Sequence, residues 1–187
     1  MAAHDATPPT DSLAATRPPV ALECGATRVV FTWRHDRWWH CCSPATDDAS
    51  RRDSPATGAA WQSLDGPWPA EDDPRWPASP VLVELSLIDR RGDGRAILGV
   101  GMAGRSHFSA SVAVDPSAAD AVRFEIACRL HDGPGWLGST YRQGGRLVRI
   151  AAHTAAGRLP HTVQWSYSIG RDGIFGVRGA TVSTRRE

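Results

Sequence analysis

The chain contains neither lysine nor asparagine, so all 21 of its basic residues are arginines. Without lysine it cannot use a Schiff-base lysine or the phosphate-binding lysine of P-loop and kinase sites. Without asparagine it offers no acceptor for N-linked glycosylation. The formal net charge is +1 and the charges are interspersed, so no basic excess favours nucleic acid or an anionic membrane. We therefore expect neither partner.

Long apolar stretches are also missing, and none approaches the roughly 20 residues needed to cross a bilayer. Segment 1–12 lacks the basic start and the apolar run of a secretory signal. These absences predict a cytoplasmic protein. Because that compartment is reducing, we expect free and mostly buried thiols at Cys24, Cys41, Cys42 and Cys128.

The apolar residues recur with the period of β-strands. Val122, Phe124 and Ile126 alternate with polar residues, as expected of a strand with one buried face. The Asp-Gly pairs at 93–94 and 172–173 are typical of hairpin turns. Helical periodicity is nearly absent, and only 117–121 has a sequence that could form one turn of helix.

The number of short strands and turns defines the expected architecture. With 187 residues the chain suits one compact domain. Frequent turns between short alternating segments predict an all-β fold, with a single antiparallel sheet closed into a β-barrel or two sheets packed as a β-sandwich. We expect about eight strands and leave the choice between barrel and sandwich open.

Proline-rich segments divide the chain. Segment 1–25 is expected to be a disordered, flexible tail, because it cannot bury enough apolar surface to offset the entropy of ordering. Residues 26–187 are expected to form the single domain, interrupted by a long Pro-rich excursion at 43–80. The first half of that excursion is expected to be disordered. Its second half, 61–80, places three tryptophans beside prolines, which predicts an ordered, extended strap across the domain.

The densest group of chemically useful side chains lies at 32–42, with three tryptophans, two histidines and two cysteines. Strand alternation would place His40 and Cys42 on one face, within reach of one metal ion. Structural zinc sites favour Cys-x-x-Cys spacing, which is absent. We therefore predict no metal and no cofactor. We interpret the segment as a core strand whose histidines cap its exposed ends.

Two glycine-containing loops carry polar and aromatic side chains suited to binding. In loop 99–109, glycines let the backbone approach a ligand while arginine, serine and histidine supply contacts, or the glycines form a tight bend at a sheet corner. In loop 131–142, Trp136 either stacks on a flat ligand or pins a wide turn in the core. The predicted ligand-binding residues are Arg105, Ser106, His107, His131, Trp136, Tyr141 and Arg142.

Three functions are compatible with this pattern. We favour a binding module that presents these side chains to a small molecule or a protein partner. The first alternative is a hydrolase or isomerase using His40, His107 or His131 as acid or base, with Arg105 or Arg142 holding an anionic group. No nucleophile is paired with these histidines, so we assign no catalytic residue. The second alternative is an assembly subunit whose Trp-rich strap docks on a neighbour. The oligomeric state is left open.

Overall fold

The computed structural model describes residues 17–45, 60–64, 76–92, 94–154 and 157–186. Within them the chain forms thirteen strands and no helix, so the predicted all-β fold is confirmed. None of these residues forms a helix long and apolar enough to span a membrane. The strands are β1 (Val20–Cys24), β2 (Thr27–Arg34), β3 (Arg37–Pro44), β4 (Trp61–Ser63), β5 (Glu84–Arg90), β6 (Gly94–Ala103), β7 (Ser106–Asp115), β8 (Ala118–Leu130), β9 (Gly138–Gln143), β10 (Arg146–Ala152), β11 (His161–Gly170), β12 (Gly173–Arg178) and β13 (Ala180–Arg186).

The strands form two antiparallel sheets packed as a β-sandwich. The seven-stranded sheet has the order β1-β2-β3-β4-β9-β10-β13, and the six-stranded sheet has the order β12-β11-β8-β7-β6-β5. Neither sheet closes on itself, so the barrel alternative is wrong. The strand count exceeds the expected eight partly because the last apolar run is divided at Gly179, whose φ of 60° favours glycine. That division sends β12 to one sheet and β13 to the other.

The core lies between the inner faces of the two sheets. Its largest fully buried side chains include Trp165, Tyr141, Tyr167, Phe31 and Phe124. Along β8 the even-numbered residues from 122 to 130 are buried and the odd-numbered ones are more exposed, which is the period of two read from the sequence. The four cysteines are buried free thiols.

The beginning of the domain differs from the expectation. Strand β1 lies within segment 1–25, so the prediction of a tail is wrong for 20–24. Leu22 pairs with Val29 on β2, and both Leu22 and Cys24 are buried in the core. The apolar surface that these two residues bury offsets the ordering of the segment. Residues 1–16 of the predicted tail lie outside the described residues.

The Pro-rich excursion contributes two ordered pieces. Residues 61–63 form β4, a strand inside the seven-stranded sheet, whereas the sequence predicted a strap over the body. Residues 76–80 run across the outer side of β9, where Ser79 Oγ donates to the Thr140 carbonyl (3.1 Å) and Thr140 Oγ1 donates to the Ala78 carbonyl (2.8 Å). This second piece lies across the domain as expected of the strap. Residues 46–59 and 65–75 lie outside the described residues.

The turn of helix that the sequence allows at 117–121 does not form. Strand β8 already begins at Ala118, and 116–117 form a tight turn after β7. The buried Asp115 carboxylate organises this turn, accepting hydrogen bonds from the backbone N–H (2.8 Å) and hydroxyl (2.6 Å) of Ser117. An aspartate that accepts from the residue two positions on favours a turn over a helix.

Segment 32–42 forms most of the β2–β3 hairpin, with its turn at His35 and Asp36. His35 has a φ of 55°, as a tight hairpin turn requires. Trp33 pairs with Trp38, and Phe31 pairs with His40. The expectation that the histidines cap exposed ends is therefore wrong for His40, which faces the core and is buried.

Candidate functional site

A cleft of about 540 Å³ opens on the outer face of the six-stranded sheet. The floor of the cleft is formed by residues that lie opposite one another on neighbouring strands. Met102 on β6, His107 on β7 and Arg129 on β8 lie directly opposite one another. In the next row Val100 lies opposite Ser109. The side chains between these positions face the core, so the cleft is lined by the outward-pointing half of each strand.

An exposed apolar stripe runs along β6 and enters the cleft at Val100 and Met102. Leu98, Val100 and Met102, the successive outward residues of β6, are 41%, 47% and 49% exposed. The inward residues between them are Gly99 and Gly101. A Cβ at Gly101 would clash with the backbone of Val81, so this strand needs glycine toward the core and carries its bulk on the outside. Single exposed apolar residues are ordinary, whereas a contiguous stripe that runs into a cleft is a candidate binding surface.

Two charged groups line the cleft at opposite ends. Arg129 forms no ion pair with a carboxylate in the described part of the chain, and the same holds for Glu84 on β5. Glu84 lies opposite Val100, three strands from β8. Because neighbouring strands are about 4.8 Å apart, the two residues are separated by roughly 15 Å. The cleft is therefore basic at one end and acidic at the other.

Four of the predicted binding residues lie together at the Arg129 end. Ser106 Oγ accepts a hydrogen bond from the backbone N–H of His131 (3.1 Å), and the His131 ring lies 6.0 Å from the His107 ring. Arg105 Nη2 pairs with Asp132 Oδ1 at 2.5 Å. Of the four, His107 lines the cleft, whereas the buried Ser106 holds the loop after β8 in place. Their role in binding stays a prediction.

The other three predicted residues lie elsewhere. Tyr141 is fully buried between the sheets, and Arg142 is exposed on β9 of the seven-stranded sheet. Trp136 donates its indole N–H to the Ala78 carbonyl (3.2 Å), with the Arg149 guanidinium 3.7 Å from its ring centre. The loop after β8 crosses from one sheet to the other, so its two ends cannot face one ligand. The structure therefore does not bring all seven predicted residues together.

The sequence prediction missed several residues that line the cleft: Glu84, Val100, Met102, Ser109 and Arg129. A signal for part of this site was present. In Gly99-Val100-Gly101-Met102, glycine occupies every second position, so one face of the strand carries all the bulk. When the glycine face is the one that packs inside, the apolar face must be exposed. Arg129 gave no such signal, because an arginine at an outward strand position is ordinary.

A buried polar chain joins the two sheets. The Tyr141 hydroxyl lies 2.7 Å from His40 Nε2 and 2.7 Å from the Tyr167 hydroxyl. Burial lowers the pKa of His40 to about 3 and raises the pKa values of Tyr141 and Tyr167, so all three groups are neutral at pH 7. His40 stacks on Phe124 within the core, with ring centres 5.1 Å apart. This chain is placed to tie the sheets together.

Acid-base and metal chemistry receive limited support from the geometry. The enzyme alternative needs His107, His131 and Arg105 around one pocket. Of these His107 lines the cleft, and Arg105 is engaged by Asp132. In the described part of the chain, His, Cys, Asp and Glu form no group of three or more that could hold a metal ion.

No family model matches the chain, and no curated protein or solved structure matches it.

Proposed function

We propose that the protein is a binding module whose cleft takes a small amphiphilic ligand with one carboxylate. The observation that carries this proposal is the exposed pair Val100 and Met102 in the same cleft as Arg129, which has no carboxylate partner among the described residues. A guanidinium is the side chain best suited to a carboxylate, because it can donate two parallel hydrogen bonds. The apolar body of the ligand would then cover the two β6 side chains and remove them from water.

The size of the site favours a small molecule over a protein. A volume of about 540 Å³ lies within the range of ordinary ligand pockets. The exposed parts of Leu98, Val100 and Met102 amount to on the order of 250 Å², well below the roughly 800 Å² per partner that a stable protein interface buries. A protein partner would need much more surface than this stripe provides.

Glu84 adds a preference for ligands with a single acidic group. A dicarboxylic acid long enough to span the cleft would place its second carboxylate near Glu84, where the two negative charges would repel. A monocarboxylic acid of the same length would meet no such repulsion. We therefore expect decanoate to bind more tightly than decanedioate.

Isothermal titration calorimetry with these two acids tests the proposal. Arg129→Gln should weaken decanoate binding about tenfold, because a charged hydrogen bond is lost. Val100→Ser should weaken it about fivefold through lost apolar contact. The matched control is Val177→Ser, since Val177 is similarly exposed (42%) on β12 but does not line the cleft. Absence of decanoate binding to the wild type would overturn the proposal, as would equal losses in the two valine variants.

A further inference from the structure

One wall of the cleft is a short extended stretch just before and at the start of β5, which we call the wall segment (81–84). Val83 and Glu84 from this segment line the cleft. Besides the β5–β6 pairing, in which Glu84 lies opposite Val100, two backbone hydrogen bonds hold it to the body: Trp38 N–H donates to the Leu82 carbonyl and Val83 N–H donates to the Val100 carbonyl, both at 2.8 Å. Val81 and Leu82 are buried in the core, so Val83 and Glu84 are the parts of the wall that a ligand can reach.

A third bond to the wall segment comes from a side chain far away in sequence. Arg17 Nη1 donates to the Val83 carbonyl at 3.0 Å. The guanidinium carbon of the same arginine lies 3.8 Å from the ring centre of Trp33. Trp33 in turn packs edge-on against Trp38, with ring centres 5.5 Å apart. The flat guanidinium is thus held by an indole while its edge donates to the wall.

We infer that Arg17 is a positioning residue of the cleft, which stacks on Trp33 and fixes the wall segment through the Val83 carbonyl. This inference rests on the proposed function, because it concerns the wall of the same cleft. An exposed cation–π contact and one exposed hydrogen bond contribute little to global stability. Their effect is local, because they raise the fraction of molecules in which the Val83 part of the wall is held in place. Ligand affinity falls in proportion to that fraction.

Arginine suits this role better than lysine. A guanidinium can lie flat on an indole and still donate from its edge, whereas a lysine ammonium presents a single point charge. Arg34 offers a close comparison. Its guanidinium carbon also lies 3.8 Å from a tryptophan ring centre, that of Trp39, but within the described residues it makes no hydrogen bond to the wall segment. The two arginines therefore share the stacking contact and differ in the bond to Val83.

Amide hydrogen exchange on the full chain without ligand directly tests whether Arg17 holds the wall segment in place. In Arg17→Ala the Val83 amide should exchange at least tenfold faster, because its bond to Val100 opens more often. Arg17→Lys should restore part of the protection. Arg34→Ala should leave the Val83 amide unchanged. The inference is overturned if Arg17→Ala leaves the exchange rate of Val83 unchanged, or if Arg34→Ala accelerates it to the same extent.

Decanoate titration separates this inference from the proposed function. If both hold, Arg17→Ala weakens decanoate three- to tenfold while the melting temperature stays within about 2 °C of the wild type. Arg34→Ala should bind decanoate like the wild type. If the wild type fails to bind decanoate but Val83 exchange still accelerates in Arg17→Ala alone, the proposed ligand is wrong and the positioning role stands.

Discussion

Replacing Tyr141 with phenylalanine removes the central hydroxyl of the buried polar chain. That oxygen lies 2.7 Å from both His40 Nε2 and the Tyr167 hydroxyl. The side chain is fully buried, so the ring keeps its place and the substitution deletes one atom without opening a large cavity. What remains is a His40 ring nitrogen that has lost this partner and a Tyr167 hydroxyl that keeps only its hydrogen bond with Ser139.

The expected cost follows from these two groups. A buried polar group that loses its partner costs about 1–3 kcal/mol, and the easier desolvation of phenylalanine offsets part of the sum. We therefore expect Tyr141→Phe to lower the free energy of unfolding by about 1–3 kcal/mol. For a domain of this size, that corresponds to a fall in melting temperature of about 2–12 °C.

Urea unfolding followed by tryptophan fluorescence measures this change, with an unchanged m-value as the check that the compactness of the two end states is preserved. The double variant with Tyr167→Phe is the control. Once Tyr141 has lost its hydroxyl, the Tyr167 hydroxyl has already lost that partner, so its removal should cost less than in the wild-type background. A loss below about 0.5 kcal/mol in Tyr141→Phe, or strict additivity in the double variant, would refute the reasoning.

Two further predictions concern pH and packing. His40 has a pKa of about 3 in the folded state and the ordinary value of 6.5 when unfolded, so unfolding takes up a proton below pH 6.5. Its contribution to stability is complete above pH 6.5 and is lost toward pH 3 at about 1.4 kcal/mol per unit. Unfolding free energies at pH 7 and pH 5 should show this slope, and His40→Phe should flatten it. An unchanged slope would contradict the assignment. Gly101→Ala should cost about 1–3 kcal/mol because its Cβ would clash with Val81. Gly133→Ala, with open space around it, should stay within about 0.5 kcal/mol in the same denaturation assay, and equal losses would contradict this reading.

The sequence predicted the fold class because strand alternation is a local signal. The pattern around Val122–Ile126 corresponds to β8, and it requires no knowledge of the partner strands. Strands β1 and β4 were missed for the opposite reason. Each is short and lies in or beside a Pro-rich segment, and β4 is a strand only because β3 and β9 lie on either side of it. The choice of a sandwich over a barrel likewise depends on which distant strands pair with one another. The alternation of residues along a single strand does not encode that pairing.

The candidate site was only partly predictable. Arg105, Ser106 and His107 share one turn and the start of β7, and the β7–β8 pairing brings His131 beside them. Proximity in the sequence therefore correctly indicated that these residues lie together. The same argument failed for Tyr141, because the alternation of side chains along β9 directs Tyr141 into the core. It also could not identify Arg129, whose importance comes from facing the same cleft as β6.

The shortest strand, β4, holds the two halves of the seven-stranded sheet together. Within the described residues, β4 alone joins the β1–β3 group to the β9, β10 and β13 group, and it is three residues long. If those three residues detach, β3 and β9 become two open edges with unpaired backbone groups. Such edges pair readily with the same strands of another molecule, which is the route to domain swapping and aggregation. Resistance of this protein to strand exchange therefore depends on Trp61–Ser63 more than on any of its longer strands.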